Sequence, residues 1–229
     1  MKIVLFDIDG TLLRSGGAGR RAMEVALEEA FGTRGASGYR YDGKTDRQIV
    51  REAMRMEGID DARIEAGMEG VFARYLERLA DEVQRPDTDA GVLPGIPALL
   101  DAVEAREDCV LALLTGNIVE GAHVKLRAAG IDPDRFVLGA FGTDHEERPG
   151  LPPIVQARAA AHLGRPVPGE SLVIIGDTPA DIHCGRGVGA RAIAVATGSY
   201  SVDELASHAP AAVFLDLADT AAVVAAIAS

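Results

Sequence analysis

Three stretches of this chain each bring polar groups to the end of an aliphatic run: "FDIDGT" with Asp7 and Asp9, "LLTGN" with Thr115, Gly116 and Asn117, and "IIGDTPAD" with Asp177 and Asp181. Residues i and i+2 of an extended chain share a face, so Asp7 and Asp9 point to one side. In an open parallel sheet ligands bind beyond the carboxyl ends of the strands, and there Asp7, Asp9 and Asp177 would converge. Three carboxylates that close cannot all stay ionised without a cation or a shared proton. Oxygen ligands point to Mg2+; zinc would take His and Cys, and no cluster with zinc spacing is present.

The middle stretch supplies the opposite polarity. Gly116 and Asn117 open a helix directly after a strand, so their N–H groups face the rim and the positive helix end favours an anion. Thr115 adds a hydroxyl donor. With a metal ion and a nearby basic residue, these groups would neutralise a phosphoryl group during transfer, and a carboxylate could attack phosphorus. Asp181 reads two ways. It either serves the helix start formed with Thr178 and Pro179, or helps hold the metal directly or through water.

Buried parallel strands must carry these groups. Lys2 to Phe6, Cys109 to Leu114, Ser171 to Ile175 and Arg191 to Ala196 have that character, with weaker candidates from Phe136 and Ala212. Helical stretches such as Ile118 to Ala129 and Pro97 to Ala105 alternate with them. The pattern implies an α/β fold: a Rossmann-like, doubly wound parallel sheet with helices on both faces.

Residues 16–84 break the alternation with three amphipathic helices. Met23, Leu27, Ala30 and Phe31 line the first; Ile49, Val50, Ala53 and Met54 the second, opened by a Thr45 and Gln48 capping box; Met68, Val71, Phe72, Tyr75, Leu76 and Leu79 the third. Turn-rich linkers, "RSGGAG" and "RPDTDAGVLPG", flank them. The expected organisation is a core of residues 1–14 and 91–229 with an all-α cap of residues 15–90. Within the cap, "GYRYDGKTDRQIVR" gathers Arg40, Lys44, Arg47 and Arg51, which are either a solvated helix face or contacts for the polar part of a substrate.

A formal charge of -12 over 229 residues repels polyanions, so neither nucleic acid nor an anionic membrane surface is expected as the main partner. No run is long enough to span a bilayer, and the N-terminus lacks the pattern of a signal peptide, so a cytoplasmic location is expected. Cys109 and Cys184 read as reduced, buried thiols.

The order "DIDGT", "LLTGN", a basic residue and "GDTPAD", with a helical insert after the first motif, resembles the haloacid dehalogenase-like hydrolase superfamily, in its phosphoglycolate phosphatase-like branch. The resemblance implies that Asp7 is the nucleophile and Asp9 the general acid and then base, while Thr115 orients the phosphate. It also implies that Mg2+ is held by Asp7, Asp177 and the backbone carbonyl of Asp9. Asp9 separates the chain from the dehalogenase branch, since an alkoxide leaving group needs a proton and halide does not. The family's lysine before the fourth strand is absent; Arg148 in "ERPGLPP" takes its place, with Arg158 as the alternative. The implied activity is Mg2+-dependent hydrolysis of a small phosphorylated metabolite by a monomer or homodimer. The alternatives are a sugar phosphomutase of the β-phosphoglucomutase kind and a non-catalytic ligand-binding module. Among the histidines, His145 beside Arg148 could approach the site; His123, His162, His183 and His208 belong to surfaces or satisfied edges.

Overall fold

Aliphatic runs ending in Asp, Thr or Gly set the central strands, and the computed structural model, which describes residues 1–86 and 89–229, lays them side by side. In chain order the first elements are β1 (Lys2–Phe6), β2 (Leu13–Ser15), α1 (Ala18–Phe31), α2 (Asp46–Met56), α3 (Asp61–Glu82), β3 (Ala90–Val92), α4 (Ile96–Glu104), β4 (Cys109–Leu114), α5 (Val119–Ala128) and β5 (Leu138–Ala140). Then follow α6 (Leu151–Leu163), β6 (Leu172–Gly176), α7 (Pro179–Cys184), β7 (Arg191–Val195), α8 (Val202–Ala206), β8 (Ala212–Phe214) and α9 (Thr220–Ala228).

Six strands form one parallel sheet in the order β5-β4-β1-β6-β7-β8. Phe6 lies level with Leu113 on one side and Ile175 on the other, so the residues after β1, β4 and β6 emerge at a common rim. The chain winds one way through β4 and β5 and the other way through β6, β7 and β8. The switch in direction falls beside β1, where such sheets open a crevice.

Alternate residues of the central strands face opposite layers. Val4, Phe6, Leu113 and Ile175 pack with Leu99, Leu126, Val223 and Ile227; Ile3, Leu5, Leu114 and Ile174 pack with Leu151, Val155 and Ala159. Burying each such side chain contributes roughly 1.5–3 kcal/mol, which anchors the rim to a rigid base.

The helical insert has its own core of Met23, Leu27, Ile49, Val50, Met54, Ile64, Met68, Val71, Tyr75 and Leu79, joined by Ile118 from the β4–α5 loop. Three local expectations need correction. The linkers are not simple turns: Leu13 to Ser15 pairs antiparallel with Val92 to Ala90, a ribbon too short for its alternation to be legible. Asp87 and Thr88 of the second linker lie outside the described residues. In α1 the inward face is Ala18, Ala22, Met23, Ala26 and Leu27, whereas Ala30 is exposed. The capping box at α2 is only half formed: Thr45 Oγ1 accepts from the Gln48 N–H at 3.1 Å, but Gln48 Nε2 reaches forward to Glu52 at 2.7 Å.

Cys184 is buried as expected, while Cys109, at the start of β4, is half-buried; both are free thiols. Among the described residues no helix is long and apolar enough to cross a membrane.

Candidate active site

Two carboxylates leave the end of β1 and enter opposite surroundings. Asp7 continues the ladder, its N–H donating to Ile175 O at 3.0 Å, and its side chain meets Arg148 Nη2 at 3.1 Å. Arg148 opens a single tight turn before α6 and is only 3% exposed. The same nitrogen donates to Asp181 Oδ1 and to Leu114 O, the latter at 3.3 Å. Its Nε–H is buried with no partner among the described residues, so the guanidinium keeps a donor in reserve beside the rim. Arg158 instead pairs with Asp144 at 2.6 Å and donates to Gly139 O, on the flank of the edge strand β5.

Asp181 serves the helix start, the first of its two readings from sequence, and stays within reach of the acidic cluster. One oxygen accepts from Thr178 N and Oγ1 at 3.0 and 2.6 Å, completing a capping box at α7; the other faces Arg148. Asp7, Asp177 and Asp181 each offer an oxygen within 4.8 Å of the others. Burial raises Asp7 to about 6 despite the offsetting charge of Arg148. Burial, then the charges of Asp181 and Asp7, push Asp177 well above the ordinary carboxylate range. A crowded, oxygen-only cluster whose charges resist ionisation fits a hard divalent cation. The backbone is shaped around it: Gly10, at φ +80°, would place a Cβ 2.4 Å from Asp177 Oδ2.

Asp9 is turned away from that cluster. Its Oδ2 accepts from Lys125 Nζ at 2.6 Å and Asn117 Nδ2 at 2.9 Å, and its Oδ1 from Ser15 Oγ at 2.9 Å. Burial would raise its pKa, but the Lys125 charge and these donors outweigh it and hold the carboxyl below its usual range. Sequence reasoning missed Lys125. The signal was there: Gly121, Ala122, Lys125 and Leu126 are the buried residues of α5, and a lysine among them needs an anion.

The "TGN" loop departs from expectation in one respect. Thr115 is fully buried, and its Oγ1 accepts from Asn117 Nδ2 at 2.8 Å, leaving its proton free to donate. The Asn117 N–H turns back toward Thr115 Oγ1 at 3.3 Å, and α5 begins at Val119 after the N-cap Ile118, so Gly116 and Asn117 do not open the helix as expected. The Ile118 N–H is taken by Asp46 Oδ2 at 2.8 Å, so an insert carboxylate already meets the positive end of α5. Burial raises Asp46 to about 6, with Lys125 pulling the other way.

Asp46 opens α2, whose start is pressed onto the core. Its N–H donates to Gly116 O at 2.8 Å, Thr45 Oγ1 donates to Glu146 O, and Arg51 Nε donates to Glu146 Oε1 at 2.6 Å. A Cβ on Gly116 would fall 2.1 Å from Lys44 O, so only glycine permits this approach. Beneath the insert lies a cavity of about 200 Å3 bounded by Asp7, Asp9, Thr115, Gly116, Asn117, Arg148 and Asp177 from the rim. Tyr41, Met23, Ile49 and Tyr75 contribute the insert wall.

Of the insert cations singled out from sequence, Lys44 lines the cavity, though its Nζ is paired with Glu52 at 2.6 Å. Arg40 pairs with Asp42 and stacks over Tyr200; Arg47 pairs with Glu65; neither lines the cavity. Arg20, which had not been singled out, does line it, stacked 4.6 Å over the Tyr41 ring and paired with Glu24. His145 is exposed and folded onto its own loop through the Glu147 N–H.

A parallel sheet with acidic groups at its switch point and a helical insert over them is a Rossmann-like α/β protein whose site suits a divalent cation. The particular family is shown by similarity: residues 4–186 match haloacid dehalogenase-like hydrolase, and the chain belongs to that family. It is 28% identical to N-acetylmuramic acid 6-phosphate phosphatase of Pseudomonas aeruginosa over 219 residues, covering 94% of this chain and 91% of that one. It is 25% identical to phosphoglycolate phosphatase of Aquifex aeolicus over 197 residues, 83% of each. In three dimensions it matches a hydrolase from Pseudomonas syringae with a TM-score of 0.75 at 23% identity, each chain fully covered. The chain is a hydrolase of this family, and these curated relatives are phosphatases.

Proposed function

We propose that the protein hydrolyses a small phosphate monoester in the cytoplasm through an aspartyl-phosphate intermediate. The observation that carries this reading is the split of one rim into two carboxylate environments. Asp7 lies with Asp177, Asp181 and Arg148, and Asp9 with Lys125, Asn117 and Ser15. An attacking group and a proton-transfer group need such different settings.

In this reading an Asp7 oxygen attacks phosphorus while Arg148 and the Thr115 hydroxyl neutralise the phosphoryl oxygens. Lys125 and its other donors hold the free Asp9 carboxyl ionised, so in this reading Asp9 takes up a proton as the ester binds, gives it to the leaving oxygen, and afterwards takes one from the water that hydrolyses the phosphoaspartate. Asp7, Asp177 and the Asp9 carbonyl would hold Mg2+, with Asp181 behind them holding Arg148 and the start of α7; the ion supplies charge neutralisation at the phosphoryl group. Residues 15–90 act as the cap over a core of residues 1–14 and 91–229, excluding bulk water from the cavity. Lys44 and Arg20 meet the part of the substrate away from phosphorus. The loop of Gly116 and Asn117 shapes the phosphate end.

The test is phosphate release from a panel of esters with Mg2+ present, including phosphoglycolate, N-acetylmuramic acid 6-phosphate and hexose phosphates. Turnover of at least one, abolished by EDTA and restored by Mg2+, is expected. Interconversion of sugar phosphate isomers with no net phosphate release would overturn hydrolysis in favour of a mutase.

A further inference from the structure

We propose that Lys125 is a positioning residue for proton transfer: wedged between the rim and the insert, its ammonium fixes the side chains of Asp9 and Asn117 in one arrangement. The inference rests on the phosphatase reading above. Lys125 Nζ donates to Asp9 Oδ2 and to Asn117 Oδ1, both at 2.6 Å. Asn117 Nδ2 donates in turn to Asp9 Oδ2 at 2.9 Å and Thr115 Oγ1 at 2.8 Å. The three side chains close a triangle, and that triangle links the proton-transfer carboxylate to the hydroxyl that faces the phosphoryl group.

The seat of the ammonium is equally specific. Gly19 of α1 packs against it so closely that a Cβ would fall 3.0 Å from Nζ and 3.3 Å from Cε, with Tyr75 Oη at 3.7 Å. At 6% exposure Lys125 has no solvated alternative, while the Asp9 side chain keeps 37% exposure, and a cation desolvated against a partner that stays partly wet is weak evidence for stability. Its placement therefore calls for a chemical reason. In the first half-reaction a bond forms between Asp7 and phosphorus. The bond from phosphorus to the leaving oxygen breaks, its electron pair goes to that oxygen, and the oxygen takes the proton from Asp9. The products are the phosphoaspartate, a free alcohol and a carboxylate on Asp9. An ammonium held against Oδ2, with Asn117 beside it, keeps Asp9 from rotating away from the leaving oxygen as the proton moves.

A leaving group that departs without a proton should not need this arrangement. The experiment measures kcat and KM of Lys125→Met and Gly19→Ala on an alkyl phosphate and on 2,4-dinitrophenyl phosphate, with circular dichroism melts as a control on folding. For Lys125→Met, kcat should fall about 100-fold or more on the alkyl ester and less than about fivefold on the dinitrophenyl ester, with KM little changed. Gly19→Ala keeps the lysine and displaces it, so about a tenfold loss confined to the alkyl ester is expected. It decides the matter if Lys125→Met does not fold. Equal losses on both esters would overturn the role of Lys125 alone. A wild-type chain inactive on both would overturn the phosphatase reading and this inference with it.

Discussion

Asp7 and Asp9 are separated by one residue, yet the structure treats them as opposites. Around Asp7, burial outweighs a single shared guanidinium and the carboxyl is raised to about 6. Around Asp9, burial is outweighed by an ammonium and two further donors, and the carboxyl is lowered. Asp7 extends the ladder of β1, whereas Asp9 lies in the bend beyond it, so the two do not face one side as an extended chain would place them. The difference comes from α5 and the turn before α6, whose long cations reach the rim from opposite sides.

The sharpest break of this contrast is at Asp7 itself. Asp7→Asn keeps the shape of the cluster and removes the attacking oxygen anion, so phosphate release should fall on the order of 10⁴-fold or more. Residual activity near wild type would mean that phosphorus is attacked from elsewhere. Next in size is Arg148→Met, measured without metal by urea denaturation. It leaves Asp7 and Asp181 facing each other without their shared cation, and stability should drop by about 3 kcal/mol or more. An unchanged midpoint would show that the two acids need no compensation.

The Asp7 side was the more legible in sequence. Its acids follow strands at fixed offsets, and Arg148 sits in a short loop between recognisable elements, so local reading reached them. Lys125 and Asp46 were missed because their meaning is tertiary. A lysine in the middle of α5 and an aspartate at the start of α2 acquire partners only when insert and core meet. In the basic run from Arg40 to Arg51, Arg40 and Arg47 find acidic partners outside the cavity that no local pattern announces, as on a solvated helix face. The ribbon of β2 and β3 was invisible because three residues per strand carry too little alternation.

Asp46 extends the contrast to a third carboxylate, one raised by burial like Asp7 but holding the start of α5. A folded value of about 6 against an ordinary 3.8 means that the folded chain binds this proton more tightly than the unfolded one. Its contribution to stability is therefore present at low pH, declines between about pH 4 and 6, and stays lost above. Asp46→Asn keeps an oxygen for the Ile118 N–H and removes the titration. Relative to wild type, the variant should be equal near pH 4 and more stable by about 1–2 kcal/mol at pH 8, within the ~3 kcal/mol that two pKa units allow. Urea melts at the two pH values check this; a wild-type advantage growing with pH would show that the positive end of α5 stabilises the charged form instead.

The smallest expected effect separates two arginines of the insert that sequence alone would rank the wrong way round. Arg20 lines the cavity with its guanidinium 4.6 Å over the Tyr41 ring, whereas Arg47 faces Glu65 outside it. Both have acidic partners, so pairing cannot distinguish them; what differs is access to the space beside the phosphoryl site. For an ester carrying a second anionic group, Arg20→Ala should raise KM about tenfold with kcat nearly unchanged, the loss of one charge-assisted contact made equally in ground and transition states. Arg47→Ala should change KM by less than about twofold, as for an exposed ion pair. Steady-state kinetics on both variants decides between them. If the two shift KM alike, the insert acts through its overall charge, and the cavity wall defined by Arg20 and Tyr41 does not select the substrate.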